Sequence, residues 1–218
     1  MTSTTLNITS SKLQALLAIK EKMESLAGSL PLISKPEDII PGDGNPDAKI
    51  MFIGEAGGRN EAIQRKPFVG VAGKLLAREL NNNGYQREDV YISNVVKTRP
   101  PDNRDPLPEE IAAFKPFLDQ EIEIIQPKLL VTLGRFSMAK FIPDVKISQV
   151  HGRLHRVQYA NKTRYVLPFY HPAAALRQGV VMDAFIKDFT KIPKILKYID
   201  SQQELNTISE MIEDTVFA

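Results

Sequence analysis

Short apolar runs alternate with amphipathic stretches along the middle of this chain. Four runs with the character of buried strands read KIMFIG, DVYISNVVK, KLLVTLG and RYVLPFYHP. Between them, apolar residues recur at helical spacing over residues 73–84, 106–127 and 135–142. Strands that alternate with helices predict right-handed βαβ units, with helices on both faces of a parallel sheet. We therefore predict an α/β fold, a three-layer α/β/α sandwich around a central four-stranded parallel sheet.

Further helices are predicted on either side of this core. Residues 10–27 carry apolar residues at helical spacing, and Ser10 or Ser11 is a suitable N-cap for them. Residues 179–199 predict a closing helix. The tail, residues 199–218, has two interpretations: one more helix packed on the outside, or a mobile segment.

Length and composition indicate one soluble domain. The 218 residues suit a single α/β domain, and no internal repeat is visible, so we predict one domain over 1–218 with its core at about 42–194. With 43% hydrophobic and 25% charged residues, the composition is that of a globular protein. The apolar runs are too short for a membrane span, and the first residues lack a leader pattern. We expect a cytoplasmic monomer without a membrane partner.

Cysteine is absent from the chain, and histidine occurs only three times. Disulfides and thiolate-bound metals are therefore excluded. The histidines show no metal-ligand spacing, so we expect no metal site.

The net charge of +2 is a weak guide to a nucleic-acid partner. One local cluster is more informative, because Lys97, Arg99 and Arg104 surround a rigid Pro-Pro turn. It forms either a solvated loop or a phosphate-binding surface.

Chemically versatile residues follow each of the predicted strands. Gly54 and Glu55 follow the first strand, Asn94 lies near the end of the second, Gly134 follows the third and His171 follows the fourth. Ligands of parallel sheets bind beyond the carboxyl ends of the strands. The sequence therefore predicts one binding site at this edge.

The order of the motifs is more specific than any one of them. GEAGG at residues 54–58 and PFVGVAGKLL at 67–76 are followed by VYISNVVKTRPPDNRDPLPEEI, KLLVTLGRFS and YHPAAALR. Over about residues 42–194 this set resembles the uracil-DNA glycosylase superfamily, and within it the family four enzymes of bacteria and archaea. The resemblance implies an enzyme that flips uracil out of single- or double-stranded DNA and hydrolyses its N-glycosidic bond through an oxocarbenium-like state, leaving an abasic site.

The resemblance also implies roles for individual residues. Asn94 would read uracil O4 and N3–H, since an amide presents a donor beside an acceptor; its alternative role is to tie two strand ends together. Phe68 would stack on the flipped base, unless it is a core residue. Backbone N–H groups of Glu55 or Ala56 would bind uracil, and His171 would donate to O2 as charge develops there.

The catalytic acid has two candidates. In better-known uracil glycosylases an aspartate stands at the position of Ala56, and alanine cannot orient water. Glu61 matches the acid of family four by its spacing to Phe68, and Glu55 is the alternative. We favour Glu61.

Several residues are candidates for DNA contacts. The helix N-terminus at Gly70 is suited to a phosphate. The loop after His171 corresponds to the wedge that fills the gap left by the flipped base; Ala175 stands where leucine is common, so Leu176 and Arg177 are candidates for the filling. His151 and His155 match no motif and are expected at the surface or near DNA. The candidate phosphate contacts are Lys97, Arg99, Arg104, Gly134 and Arg135.

Family four enzymes carry a [4Fe–4S] cluster on four cysteines, which this chain lacks. The corresponding positions are Ala27, Leu30, Thr98 and Phe114. Iron–sulfur ligation needs thiolates, so we predict no cofactor and a small hydrophobic patch in its place.

Two other functions remain open at this point. The fold could serve a non-catalytic module that binds uracil-containing or damaged DNA. It could also excise a different deaminated base, such as hypoxanthine or xanthine.

Overall fold

A computed structural model describes residues 3–216, with side chains described for residues 9–202, 204 and 205. In this part of the chain one sheet has the strand order β1-β3-β2-β4-β6-β5. The strands are β1 (Asp43–Gly44), β2 (Ile50–Gly54), β3 (Tyr91–Asn94), β4 (Leu129–Leu133), β5 (His155–Tyr159) and β6 (Lys162–Phe169).

The four predicted strands form the parallel centre of the sheet, which confirms the expected α/β/α class. In register, Gly54 lies opposite Asn94, and Leu133 lies opposite Phe169. Every residue of β2, β3 and β4 is buried, as expected of strands covered on both faces. Their carboxyl ends therefore meet at one edge.

Two antiparallel edge strands were not predicted. The two-residue β1 pairs with β3, and β5 forms a hairpin with β6. The hairpin turn is Ala160–Asn161, and both residues have positive φ, 50° and 60°, as a type I′ turn requires. The alternating burial of β5 is a weaker sequence signal than the continuous apolar runs of the central strands.

The helices lie on both faces of the sheet. No helix among the described residues is long and apolar enough to cross a membrane. Their bounds are α1 (Ser3–Ser25), α2 (Arg59–Gln64), α3 (Val71–Asn82), α4 (Pro108–Ile125), α5 (Arg135–Ala139), α6 (Ile147–Val150), α7 (Pro172–Ala175), α8 (Gly179–Phe189) and α9 (Ile192–Val216).

Two helix predictions need correction. Helix α1 begins at Ser3, so neither Ser10 nor Ser11 caps it. The closing helix is divided into α8 and α9, because Pro193 lacks an N–H and its ring would clash with the carbonyl one turn earlier in a continuous helix.

Most of the tail, residues 199–218, continues α9. The choice between a packed and a mobile tail depends on side chains beyond residue 205, which lie outside those described.

Two hydrophobic clusters follow from the alternation of side chains along β2. Phe52 points to the face covered by α3 and α8, where it packs with Leu76 and Phe189. Met51 and Ile53 point to the opposite face, which α4 covers. The period of two residues thus separates the layers of the sandwich.

A third cluster occupies the region where the resemblance placed the iron–sulfur ligands. Phe114 is fully buried there, and Ala27 and Leu30 pack against the cluster. Thr98 is 3% exposed, and its carbonyl accepts a hydrogen bond from the Gly57 N–H at 3.0 Å. These side chains offer no thiolate, so the site does not fit a [4Fe–4S] cluster.

We predict that Phe114→Ala destabilises the protein by about 3–5 kcal/mol, because it removes a large side chain from a close-packed cluster. Urea unfolding measures the loss. The control is Leu205→Ala at a side chain 57% exposed, for which we expect about 0.5 kcal/mol or less. Equal effects in the two variants contradict the assignment of Phe114 to the core.

Candidate active site

A cavity of about 550 Å³ lies beyond the carboxyl ends of the parallel strands. Residues that follow three of the four parallel strands line it: Glu55 after β2, Gly134 after β4 and His171 after β6. Its lining includes Glu55, Ala56, Glu61, Phe68, Gly134, Arg135, Tyr170, His171 and Arg177.

Asn94 ends β3 and lies behind the cavity lining, near Phe68. Its side chain is buried, and its Oδ1 has no hydrogen-bond partner among the described residues. A Cβ on Gly54 would lie 2.4 Å from Asn94 Oδ1 and 2.5 Å from Cε2 of Phe68. Glycine is therefore required at residue 54 for the amide and the ring to meet beside the backbone of β2.

Phe68 is both a core residue and a residue of the cavity wall. It is 7% exposed and belongs to a core cluster, yet it also lines the cavity, with its ring centroid 5.8 Å from that of His171. Its φ is +53°, a conformation that costs free energy for a residue with a Cβ. A strained aromatic residue at a cavity wall is a candidate for binding.

Glu61 holds the turn that carries Phe68. Its Oε1 accepts hydrogen bonds from the N–H groups of Val69 and Gly70, at 2.9 and 2.7 Å, and its Oε2 accepts one from Gly58 at 3.1 Å. Both carboxylate oxygens are thus committed to the backbone.

His171 follows β6 and serves as the N-cap of α7. Its Nδ1 accepts a hydrogen bond from the Ala173 N–H at 3.1 Å. In the neutral ring the proton is therefore assigned to Nε2, which leaves a donor. Burial and the nearby Arg177 lower the pKa of His171 to about 4, against an opposing effect of Glu61. The imidazole is neutral at pH 7.

Glu55 has the opposite electrostatic setting. Its carboxyl lines the cavity and accepts no hydrogen bond from the described residues. Burial, together with the negative charge of Asp105, raises the pKa of Glu55 to about 7, and Arg135 partly opposes this rise. Glu55 therefore changes its charge near neutral pH.

The prediction that Lys97 contacts DNA is wrong. Its side chain is fully buried, and its ammonium donates hydrogen bonds to Ser93 and Glu121. An apolar neighbourhood makes an unpaired ammonium costly, so the position of Lys97 is set by these internal partners and not by a solvent-facing loop.

The other predicted DNA contacts lie at or near the cavity, but several have partners in the protein. Arg104 forms a fork with Glu110, at 2.9 and 2.6 Å, and Arg135 pairs with Asp105. Arg99 donates from Nε to Asn103 at 2.8 Å. Gly70 is the N-cap residue of α3, Gly134 lines the cavity, and Arg177 lines it without an ion pair among the described residues.

The candidate wedge divides into a buried and an exposed part. Ala175 is 2% exposed and Leu176 is 44% exposed. Leu176 and the exposed Arg177 are therefore available to fill a gap in DNA, whereas Ala175 is not.

His151 and His155 are not free surface residues. His151 Nδ1 lies 2.7 Å from Oδ2 of the buried Asp188, and its ring lies 4.4 Å from that of Tyr170. His155 is half-buried in β5, with no partner for its Nε2 in the described part of the chain. Sequence reasoning also missed Tyr170, although its place beside His171 in the YHP motif was a signal.

No group of three or more potential metal ligands occurs among the described residues. The site instead combines an unpartnered amide, a fixed aromatic ring, a neutral histidine donor and an open carboxyl. A buried amide acceptor beside a flat ring suits a planar polar ligand, and a neutral histidine donor with an open carboxyl suits acid–base chemistry on that ligand.

The comparisons with known proteins agree with this kind of site. Residues 41–192 match the family model of the uracil DNA glycosylase superfamily. Since the match covers more than half of the chain, the protein belongs to this superfamily.

Several curated relatives share the type-4 description. The type-4 uracil-DNA glycosylase of Saccharolobus solfataricus is 45% identical over 166 residues, which are 73% of this chain and 77% of that protein. That of Archaeoglobus fulgidus is 44% identical over 162 residues, 72% of this chain and 81% of that protein. That of Thermotoga maritima is 40% identical over 164 residues, which are 75% of this chain and 85% of that protein.

We predict that Gly134→Ala destabilises the protein by about 1–3 kcal/mol, because the φ of Gly134 is +94° and a Cβ would lie 3.1 Å from the Cβ of His171. Thermal unfolding measures the change. Gly179→Ala is the matched control, since a Cβ on Gly179 would meet nothing within 4 Å, and we expect no loss of stability. A neutral Gly134→Ala variant contradicts the constraint.

Proposed function

We propose that this protein excises uracil from DNA by hydrolysing the N-glycosidic bond, which leaves an abasic site. The observation that carries the proposal is the buried Oδ1 of Asn94, which has no partner among the described residues and lies beside the ring of Phe68. A buried acceptor without a donor costs about 1–3 kcal/mol. A flipped uracil supplies the missing donor through its N3–H, while the amide Nδ2 donates to O4.

This arrangement distinguishes uracil from cytosine. Neutral cytosine carries no proton on N3, so it would set an acceptor against the Oδ1 of Asn94. A site that must satisfy a buried polar group rejects such an analogue strongly. Phe68 provides the stacking surface for either base.

His171 stabilises the leaving group. As the glycosidic bond breaks, negative charge develops on uracil O2, and the Nε2–H of the neutral imidazole donates to it. The hydrogen bond at Nδ1 fixes the ring beforehand, so little reorganisation is needed during the reaction.

The two acids have separate roles in this proposal. Glu55 orients the attacking water and balances the charge of the sugar cation, and Glu61 maintains the turn that holds Phe68. This assignment changes our preference for Glu61 as the catalytic acid. Its support is that Glu61 accepts three backbone hydrogen bonds, whereas the Glu55 carboxyl accepts none from the described residues.

DNA is the proposed partner, in single- or double-stranded form. Arg177 and Arg135, which line the cavity, hold the flanking phosphates in this proposal, and Leu176 fills the gap in the stack. The Gly70 N–H does not take part, because it already donates to Glu61. We further propose a cytoplasmic monomer that needs no iron–sulfur cluster; the support for the last point is the apolar packing around three of the four ligand positions.

Uracil release from single-stranded, U·G and U·A oligonucleotides tests the function. We expect release by the wild type, and a loss of about 10²–10³-fold in His171→Ala, as for the removal of a preorganised donor. Asn94→Ala should also lose activity on uracil. Release by neither wild type nor variants contradicts the proposal.

The same assay separates the two alternatives. A protein that shifts a uracil oligonucleotide in a gel without cleaving it is a binding module. Release of hypoxanthine or xanthine in preference to uracil indicates a different base specificity. Asn94 does not separate uracil from these purines, because hypoxanthine and xanthine present N1–H beside O6, the same pattern as N3–H beside O4 of uracil. The release assay therefore decides between them.

A pH profile tests the role of Glu55. A carboxyl with a raised pKa is neutral below that pKa and anionic above it, so kcat/KM should fall as the pH drops below about 7. Glu55→Gln should have a lower rate and lack this limb. Because His171 protonates only near pH 4, it should add no limb at neutral pH. A profile that stays flat through pH 7 contradicts the role of Glu55.

A further inference from the structure

Arg87 lies outside every motif that identified the site. It begins a short 3-10 turn, Arg87–Asp89, that leads into β3. Its guanidinium nevertheless reaches the turn that carries Phe68: Nη2 donates to the carbonyl of Pro67 at 2.7 Å, and Nη1 donates to the carbonyl of Phe68 at 3.3 Å. We infer that Arg87 is a positioning residue that fixes the base-stacking ring of Phe68 through these two carbonyls.

The turn needs such a residue because its backbone is crowded and strained. Phe68 has a φ of +53°, and its carbonyl approaches α3 so closely that a Cβ on Gly73 would lie 1.9 Å from the Phe68 oxygen. Carbonyl groups shielded from water in this way require donors from the protein. Arg87 supplies both donors from one planar group.

Glu61 and Arg87 bind opposite sides of the turn at residues 67–70. Glu61 accepts from the N–H groups of Val69 and Gly70, and Arg87 donates to the carbonyls of Pro67 and Phe68. Four consecutive residues are thus fixed by one anion and one cation from different parts of the chain. Rotation of the Phe68 backbone would break hydrogen bonds on both sides.

Asp43 of the edge strand β1 orients the guanidinium. Its Oδ2 lies 3.2 Å from Nη2 of Arg87, and the antiparallel pairing of Asp43 with Ile92 places it beside the start of β3. The side chains of Arg87 and Asp43 are 23% and 30% exposed, so both are partly shielded from water. Through Asp43, the two-residue strand β1 thus contacts the side chain that binds the Phe68 turn.

This inference rests on the proposed function and adds a determinant of base stacking to it. Arg87 contacts the protein backbone and not the cavity, so its loss should affect the base and not the DNA strand. Arg87→Ala should lower kcat for uracil release by about 10–100-fold, as expected when a binding group is displaced by roughly 1 Å. Inhibition by free uracil should weaken in parallel, while affinity for an abasic oligonucleotide stays close to that of the wild type.

Three companion variants make the test specific. Arg87→Lys keeps the charge but lacks the planar fork, so we expect an intermediate rate. Arg156→Ala, at an exposed arginine of β5, is the control and should match the wild type. In Phe68→Ala, which has no ring to position, the additional change Arg87→Ala should have little further effect on kcat.

Added guanidinium at millimolar concentration gives a readout that a general loss of stability would not produce. It should restore part of the rate of Arg87→Ala and none of the rate of the double variant. Should Arg87→Ala fail to fold, the comparison of Arg87→Lys with wild type in kcat and uracil inhibition carries the test.

Two results overturn the inference about Arg87 but leave the proposed function intact. One is a wild-type rate, with wild-type inhibition by uracil, in both Arg87→Ala and Arg87→Lys. The other is a double variant whose loss in kcat equals the product of the losses in Arg87→Ala and Phe68→Ala. A wild-type protein that releases no uracil rejects the proposed function itself, and the inference with it. The two failures are therefore distinguishable.

Discussion

The register between β2 and β3 is the constraint on which the site depends. It sets Gly54 opposite Asn94, and the missing side chain of Gly54 admits both the amide of Asn94 and the ring of Phe68. A shift by one residue would turn every side chain of the strand to the other face. The hydrophobic layers on the two faces hold this register, because Phe52 belongs to one layer and Met51 and Ile53 to the other.

Burial of His171 and Glu55, without an oppositely charged partner that fully compensates for it, sets their protonation at neutral pH. It lowers the pKa of His171 and raises the pKa of Glu55, since it penalises the charged form of each group. Glu61 lies at the same cavity, but its charge is met by three backbone N–H groups. Two glutamates at one cavity thus differ in the hydrogen bonds that their surroundings provide.

The third hydrophobic cluster joins segments that are far apart in the chain. Ala27, Leu30 and Phe114 connect the segment after α1 to α4 through apolar contacts. The Thr98 carbonyl binds the Gly57 N–H and so links this region to the loop after β2. Packing can thus join segments that a shared set of ligands would otherwise hold.

The four central strands and most helices could be predicted from the sequence, because hydrophobic periodicity is a local property of the chain. The order of the motifs was enough to make Glu55, Phe68, Asn94 and His171 candidates at one edge of the sheet. The sequence did not reveal β5, whose burial alternates, or the burial of Lys97, which depends on Glu121 from a distant helix. Three features needed the folded structure: the open carboxyl of Glu55, the backbone hydrogen bonds of Glu61, and the contact of Arg87 with the Phe68 carbonyl. These are contacts between residues far apart in the chain, and spacing along a sequence does not encode them.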